Sequence, residues 1–90
     1  MSKFKGTKGK WTSVKPEGSN GYRHINNEEL GLGQIATCYG FSFGKKNEIA
    51  YNAKLISCAP DMLEMLEAIS NGETPNIFEI KELIRKATWL

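Results

Sequence analysis

Short runs of alternating apolar and polar residues occupy the first half of the chain, and a period of two is typical of β-strands. Residues 11–14 form the first run, and the turn-forming residues at 16–21 end it. Residues 22–26 form a second run and residues 32–43 a third. The third run places one set of residues on a common face: Ile35, Thr37, Tyr39, Phe41 and Phe43. We expect this face to lie beneath the helices that follow, because they need an apolar surface to cover.

From residue 47 the apolar positions recur every three or four residues, which is the spacing of amphipathic helices. Asn47 is a candidate N-cap for the first helix, whose apolar residues are Ile49, Ala53, Ile56 and Ala59. Pro60 lacks a backbone N–H, so we expect the helix to kink or end there, with Pro60 opening the next helix. The inward stripe of that second helix is Met62, Leu63, Leu66 and Ile69.

Residues that typically end one helix and begin another follow the second helix. Asn71 and Gly72 are typical of a helix C-terminus. Thr74, with Pro75 at the first helical position, then predicts a final helix. Its apolar residues are Ile77, Ile80, Leu83, Ile84 and Ala87.

These patterns together predict an α+β fold in a single domain over residues 1–90, because 90 residues cannot bury two separate cores. Residues 1–10 are expected to be a flexible basic tail, residues 11–44 a small antiparallel sheet of three strands, and residues 47–88 two or three helices. A core of this size is marginal, so homodimerisation remains an open alternative.

The net charge of +2 is the sum of a basic first part and an acidic second part of the chain. Residues 1–54 hold nine Lys/Arg against four Asp/Glu, and residues 55–90 hold three against six. No apolar run is long enough to span a membrane, and the basic N-terminus lacks the apolar stretch of a secretory signal. We therefore expect a cytoplasmic protein, with Cys38 and Cys58 as free thiols.

Candidate catalytic chemistry is sparse. His24, Cys38 and Cys58 have no metal-ligand spacing, and no cofactor motif is present. A nucleophilic pair of Cys38 with His24 is conceivable, but two strand residues without a catalytic role explain them better. The sequence predicts a protein that is not an enzyme and needs no cofactor.

Three groups of residues are candidates for partner binding. The first is the set of N-terminal lysines, Lys3, Lys5, Lys8 and Lys10, which could contact RNA or DNA phosphates or simply aid solubility. The second is an acidic helix face, Asp61, Glu64 and Glu67, which is either solvated or mimics a nucleic-acid backbone. The third is Tyr22 with Arg23, which we place on an edge strand. The aromatic run at residues 39–43 offers a further alternative, stacking on RNA bases.

Residues 51–66 resemble a segment shared by many small phage and prophage proteins, in which the pattern NA-K-LI-x-x-AP-D-x-L-E-x-L recurs. The matching residues are Asn52, Ala53, Lys54, Leu55, Ile56, Ala59, Pro60, Asp61, Met62, Leu63, Glu64 and Leu66. The resemblance implies a phage or mobile-element origin. Since small proteins of such origin often disable a host defence, it also implies an anti-CRISPR or related role.

The function predicted from these observations is a non-enzymatic inhibitor of a bacterial defence nuclease, such as a CRISPR effector. It would act by occluding a nucleic-acid-binding or conformationally essential surface. Three alternatives remain open: a small nucleic-acid-binding accessory protein, a sponge for a signalling cyclic nucleotide, and a purely structural phage protein. The second would need a dimer pocket containing aromatic residues and Arg23.

Overall fold

The computed structural model describes residues 4–16, 21–28, 34–39 and 48–89 and confirms the α+β fold. Three strands, β1 (Trp11–Val14), β2 (Tyr22–Asn27) and β3 (Gln34–Tyr39), form an antiparallel sheet. Three helices follow, α1 (Glu48–Ser57), α2 (Ala59–Ser70) and α3 (Ile77–Thr88). The candidate N-cap Asn47, and Phe41 and Phe43, lie outside the described residues.

The sheet has the order β1-β2-β3, so β2 is its central strand. The prediction that Tyr22 and Arg23 lie on an edge strand is therefore wrong. Adjacent residues on a strand point to opposite faces, and this places Tyr22 and Arg23 on different sides of the sheet. A bulge interrupts the pairing of β2 with β3, where Ile25 pairs with Ala36 but Asn26 pairs with Gln34.

Helix α1 covers the face of the sheet that carries Ile25, which is fully buried. Ala36 pairs with Ile25, and Cys38 lies two residues further along β3 on the same face. Tyr39 belongs to the opposite face and is 72% exposed. The expectation that the face of Thr37 and Tyr39 lies beneath the helices is therefore wrong. The small side chains of Ala36 and Cys38 allow a helix to approach closely, whereas two rings would hold it away.

Helix α1 packs directly on the sheet through small side chains. Ala50, Ala53 and Ser57 are its buried residues, and their spacing of three and four places them on one stripe. The Ser57 hydroxyl donates a hydrogen bond to the Lys54 carbonyl at 2.7 Å, so its burial leaves no donor unpaired. Ile56, which the sequence pattern assigned to the inward stripe, is 38% exposed.

The breaks between helices follow the sequence signals with one exception. Cys58 separates α1 from α2, and Pro60 lies in the first turn of α2, as predicted. Gly72, at φ +89°, ends α2, with its N–H donating to the Ile69 carbonyl and that of Glu73 to Ala68. Helix α3, however, begins at Ile77 rather than at Pro75. Asn76 is the N-cap, and its side chain accepts a hydrogen bond from the Glu79 N–H at 2.8 Å.

The prediction that Met62, Leu63 and Leu66 cover the sheet is wrong. Helix α1 contacts all three strands and also packs against α3. Leu66 is 63% exposed, and Met62 is only half-buried. Because α1 already occupies the sheet, the apolar side of α2 is left facing a groove shared with α3.

We expect Ala53→Leu to destabilise the fold, because Ala53 is fully buried between α1 and the sheet and a larger side chain would force the two apart. Overpacking of this kind costs about 1–3 kcal/mol. Urea unfolding followed by circular dichroism measures the loss. The matched control is Asn52→Leu at the neighbouring exposed position, and an equal loss there would contradict this account of the packing.

A second expectation concerns the residue that caps the start of α3. Asn76→Ala removes the side-chain cap and should lower the free energy of unfolding by about 1 kcal/mol. Thr74→Ala, at the position indicated by the sequence pattern, should change it by much less. The same unfolding measurement distinguishes the two positions, and the reverse ranking would place the cap at Thr74.

Candidate functional site

A cleft of about 600 Å³ separates the N-terminal segment from one side of α2, and it unites two of the three groups of candidate residues. Lysines come from the segment and carboxylates from the helix and the turn after it. The charged residues that line it are Lys8, Lys10, Asp61, Glu64, Glu67 and Glu73. Lys5 is exposed on the same segment, and Lys3 lies outside the described residues.

Hydrogen bonds to β2 and within the segment position residues 7–10. The buried Asn27 side chain donates to the Lys8 carbonyl at 2.7 Å, and the Glu28 N–H donates to the Lys10 carbonyl at 2.8 Å. The Trp11 indole N–H donates to the Thr7 carbonyl at 3.1 Å. These bonds extend the β1–β2 pairing beyond the strand and place the segment beside α2. The flexibility of residues 1–10 stays a prediction.

The Lys8 ammonium lies 5.4 Å from the centre of the Phe4 ring, within the range of a cation–π contact. Phe4 also lines the cleft, so the basic wall combines a positive charge with an aromatic surface. Phe4 is not among the residues that the sequence predicted for binding, because only the charge of the N-terminal segment pointed to a partner.

Asp61 differs from the other acidic residues of α2 because it forms an ion pair with another described residue. Its carboxylate accepts a hydrogen bond from the Lys86 ammonium of α3 at 2.8 Å. This hydrogen bond raises the pKa of Lys86, and the charge of Asp61 adds to the effect. Nothing in the sequence pairs these two residues, which are 25 positions apart.

Glu64 and Glu67 lie one turn apart on the side of α2 that faces the cleft. Neither forms an ion pair with any residue that the structure describes. Glu73, beyond the end of α2, adds a further carboxylate to the same cleft. Four acidic residues against two lysines give the cleft an acidic balance. A nucleic-acid phosphate entering it would meet more repulsion than attraction, whereas a basic protein surface would be attracted.

Tyr22, the aromatic residue of the third candidate group, lies on the face of the sheet opposite Ile25. The Tyr22 ring centre lies 5.2 Å from that of His24 and 5.9 Å from that of Tyr39, in tilted arrangements. Arg23 lies on the other face, so the structure does not unite Tyr22 and Arg23 in one site. A cyclic-nucleotide pocket that uses both residues of one chain has no support in this geometry.

His24 takes part in a closed ring of hydrogen bonds with two side chains of β3. In the tautomer protonated at Nδ1, His24 donates to the Thr37 hydroxyl at 3.1 Å. Thr37 donates to Gln34 Oε1 at 3.3 Å, and Gln34 Nε2 donates to His24 Nε2 at 3.2 Å. Cys38 is the neighbour of Thr37 and points to the opposite face, so it cannot form a nucleophilic pair with His24.

Both cysteines are free thiols in the structure. Among the described residues, no group of three or more His, Cys, Asp or Glu side chains is arranged to hold a metal ion. Within the same residues, no helix is both long and apolar enough to cross a membrane.

The model of the family described as Salmonella phage P22 protein Y8K6 matches residues 1–88. The chain belongs to this family. The match spans the N-terminal segment, the sheet and all three helices, so the cleft and the groove both lie within the Y8K6 region. The phage origin inferred from residues 51–66 is thereby confirmed at the level of the family. No curated protein and no solved structure matches the chain.

The Asp61–Lys86 pair gives a testable pH dependence in this Y8K6 family member. Lys86→Met should lower the free energy of unfolding at pH 7 by at most about 1 kcal/mol, because the pair is partly exposed. Since the folded pKa of Lys86 is raised, the contribution is fully present below the unfolded lysine pKa of about 10.4. It is lost as the pH rises through the higher folded value.

Urea unfolding at pH 7 and above pH about 11 measures this contribution, and the difference between wild type and Lys86→Met should close at the higher pH. Lys81→Met, on the exposed side of the same helix, is the control and should have little effect at either pH. A difference that persists unchanged at high pH would show that Lys86 stabilises through its methylene groups rather than its charge.

Proposed function

We propose that this phage protein is a non-enzymatic inhibitor that binds a bacterial defence nuclease, of which a CRISPR effector is the leading candidate. Its acidic α2 face would occupy a basic nucleic-acid-binding surface of the nuclease. The observation that supports this most directly is the charge of α2, which has three carboxylates and no basic residue.

Of the three acidic residues of α2, we propose that Glu64 and Glu67 contact the nuclease. Asp61 is held by Lys86, so its charge is partly neutralised within the chain. Glu64 and Glu67 have no such partner among the described residues and remain available to a basic surface. Complementary charge of this kind chiefly raises the rate of association and selects the partner.

Membership of a phage protein family supports a host-directed role, and the acidic balance of the cleft favours a basic protein over nucleic acid. The N-terminal lysines lie opposite these carboxylates. In this proposal they border the same contact and bind acidic side chains at the rim of the partner.

The test uses a bacterial host with an active CRISPR system directed at a test phage. Wild-type protein should raise the plaquing efficiency of that phage, and the purified protein should displace target DNA from the guide-loaded nuclease in a mobility-shift assay. Glu64→Lys combined with Glu67→Lys should weaken inhibition by roughly tenfold or more, equivalent to about 1.4 kcal/mol.

The matched control is Glu79→Lys combined with Glu82→Lys, which makes the same charge change on α3, outside the cleft. It should inhibit like wild type. If the wild-type protein leaves both plaquing and DNA binding unchanged, the inhibitor proposal fails. If it shifts the DNA by itself, with an affinity that falls steeply with salt, a nucleic-acid-binding accessory function replaces it.

A further inference from the structure

A small polar cavity of about 100 Å³ lies where the N-terminal segment, the end of β2 and the three helices meet. The charged residues that line it are Lys10, Glu28, Lys54, Asp61 and Lys86. Sites for drug-sized ligands have volumes of roughly 300–1,000 Å³, so this cavity suits a group of only a few heavy atoms. Its three lysines come from the N-terminal segment, α1 and α3, and only the tertiary structure brings them together.

The charges that line this cavity do not cancel. Asp61 is paired with Lys86 at 2.8 Å, so these two groups neutralise one another. Lys10 and Lys54 form no ion pair with any residue that the structure describes. Glu28 is the remaining carboxylate of the lining. Two unpaired ammonium groups therefore face one carboxylate, which leaves an excess positive charge for a ligand to balance.

The N-terminus of α2 adds to this positive potential, because the first N–H groups of a helix lack intrahelical partners and carry a partial positive charge. The N-cap residue Cys58 provides no side-chain hydrogen bond to the first turn. Cys58 also lines the cavity and is only 2% exposed. Its thiol donates no hydrogen bond to a described residue, so a buried donor is left for an anionic ligand to satisfy.

The Lys86 ammonium stays charged in this environment. Its hydrogen bond with Asp61 chiefly raises the pKa of Lys86, and the charges of Cys58 and Glu28 make smaller contributions in the same direction. These contributions place Cys58 and Glu28 beside the ion pair. The buried thiol, the ion pair and the unpaired lysines thus belong to one polar site.

We propose that this cavity binds a phosphate group, either as free phosphate or as a small phosphomonoester. A phosphomonoester carries nearly two negative charges at pH 7 and three strong acceptor oxygens, whereas a carboxylate brings one charge and two oxygens. Several oxygens are needed here because Lys10, Lys54 and the start of α2 approach from different parts of the fold. Lysine is a common phosphate ligand that acts as a point charge.

This site goes beyond the proposed inhibition of a nuclease. Glu64 and Glu67 line the cleft but not this cavity, so either proposal can fail without the other. Lys10 lines both. A bound phosphate would hold Lys10 against Lys54 of α1 and would thereby fix the N-terminal wall of the cleft.

Thermal unfolding of the full chain at pH 7, in sodium phosphate or in sodium chloride of equal ionic strength, tests the site. The midpoint of the wild type should rise with phosphate and then saturate, by about 5 °C at ten times the dissociation constant. Phosphate also stabilises proteins by exclusion from their surface. That general effect does not saturate and acts on every variant alike, so only the saturable part reports the site.

Calorimetric titration identifies the ligand and the residues that bind it. Inorganic phosphate and glycerol 3-phosphate are titrated separately, and binding of the second shows that the site also accepts a monoester. Lys54→Met should weaken phosphate binding by roughly tenfold, the equivalent of one charge-assisted hydrogen bond. The matched control is Lys81→Met, an exposed lysine of α3 outside the lining, which should bind like wild type.

A gain of affinity separates the site from a folding defect. Glu28→Gln removes the opposing carboxylate and should strengthen phosphate binding by roughly threefold, which a damaged fold would not produce. A wild type that shows neither saturable stabilisation nor binding heat with inorganic phosphate overturns the proposal. So does a Lys54→Met protein that binds phosphate as tightly as Lys81→Met.

Discussion

The contact between α1 and the sheet is the constraint on which the rest of this structure depends. Helix α1 packs on β2, where Ile25 is fully buried, and the buried residues Ala50 and Ala53 of α1 are small. Close packing yields stability from many weak contacts, but small side chains bury little area in total. The fold therefore has a well-defined centre and a surplus of large apolar residues outside it.

Helix α2 carries several of these exposed apolar residues. With α1 occupying the sheet, α2 has no sheet to cover, and its two long sides are free for different tasks. One side presents Glu64 and Glu67 to a cleft, and the other presents Met65 and Ile69 to a groove. We propose that the charged side contacts the host target.

The N-terminal segment links the sheet to this helix. Asn27, buried at the end of β2, holds the backbone at Lys8, and Lys86 of α3 holds Asp61 near the start of α2. Each contact joins parts of the chain that are distant in sequence. Together they set the width and the charge of the cleft, which is why neither the basic nor the acidic residues alone describe the site.

The sequence by itself determined the three strands, the helix break at Pro60 and the stop at Gly72, and it indicated a phage origin. The two helix boundaries depend on local backbone chemistry. Only the tertiary structure decided that Tyr39 faces outward, that β2 is central and that Asp61 is paired with Lys86. Strand faces follow from the register and the bulge near Ile35, and ion pairs from the packing angle of helices, neither of which is encoded at any one position.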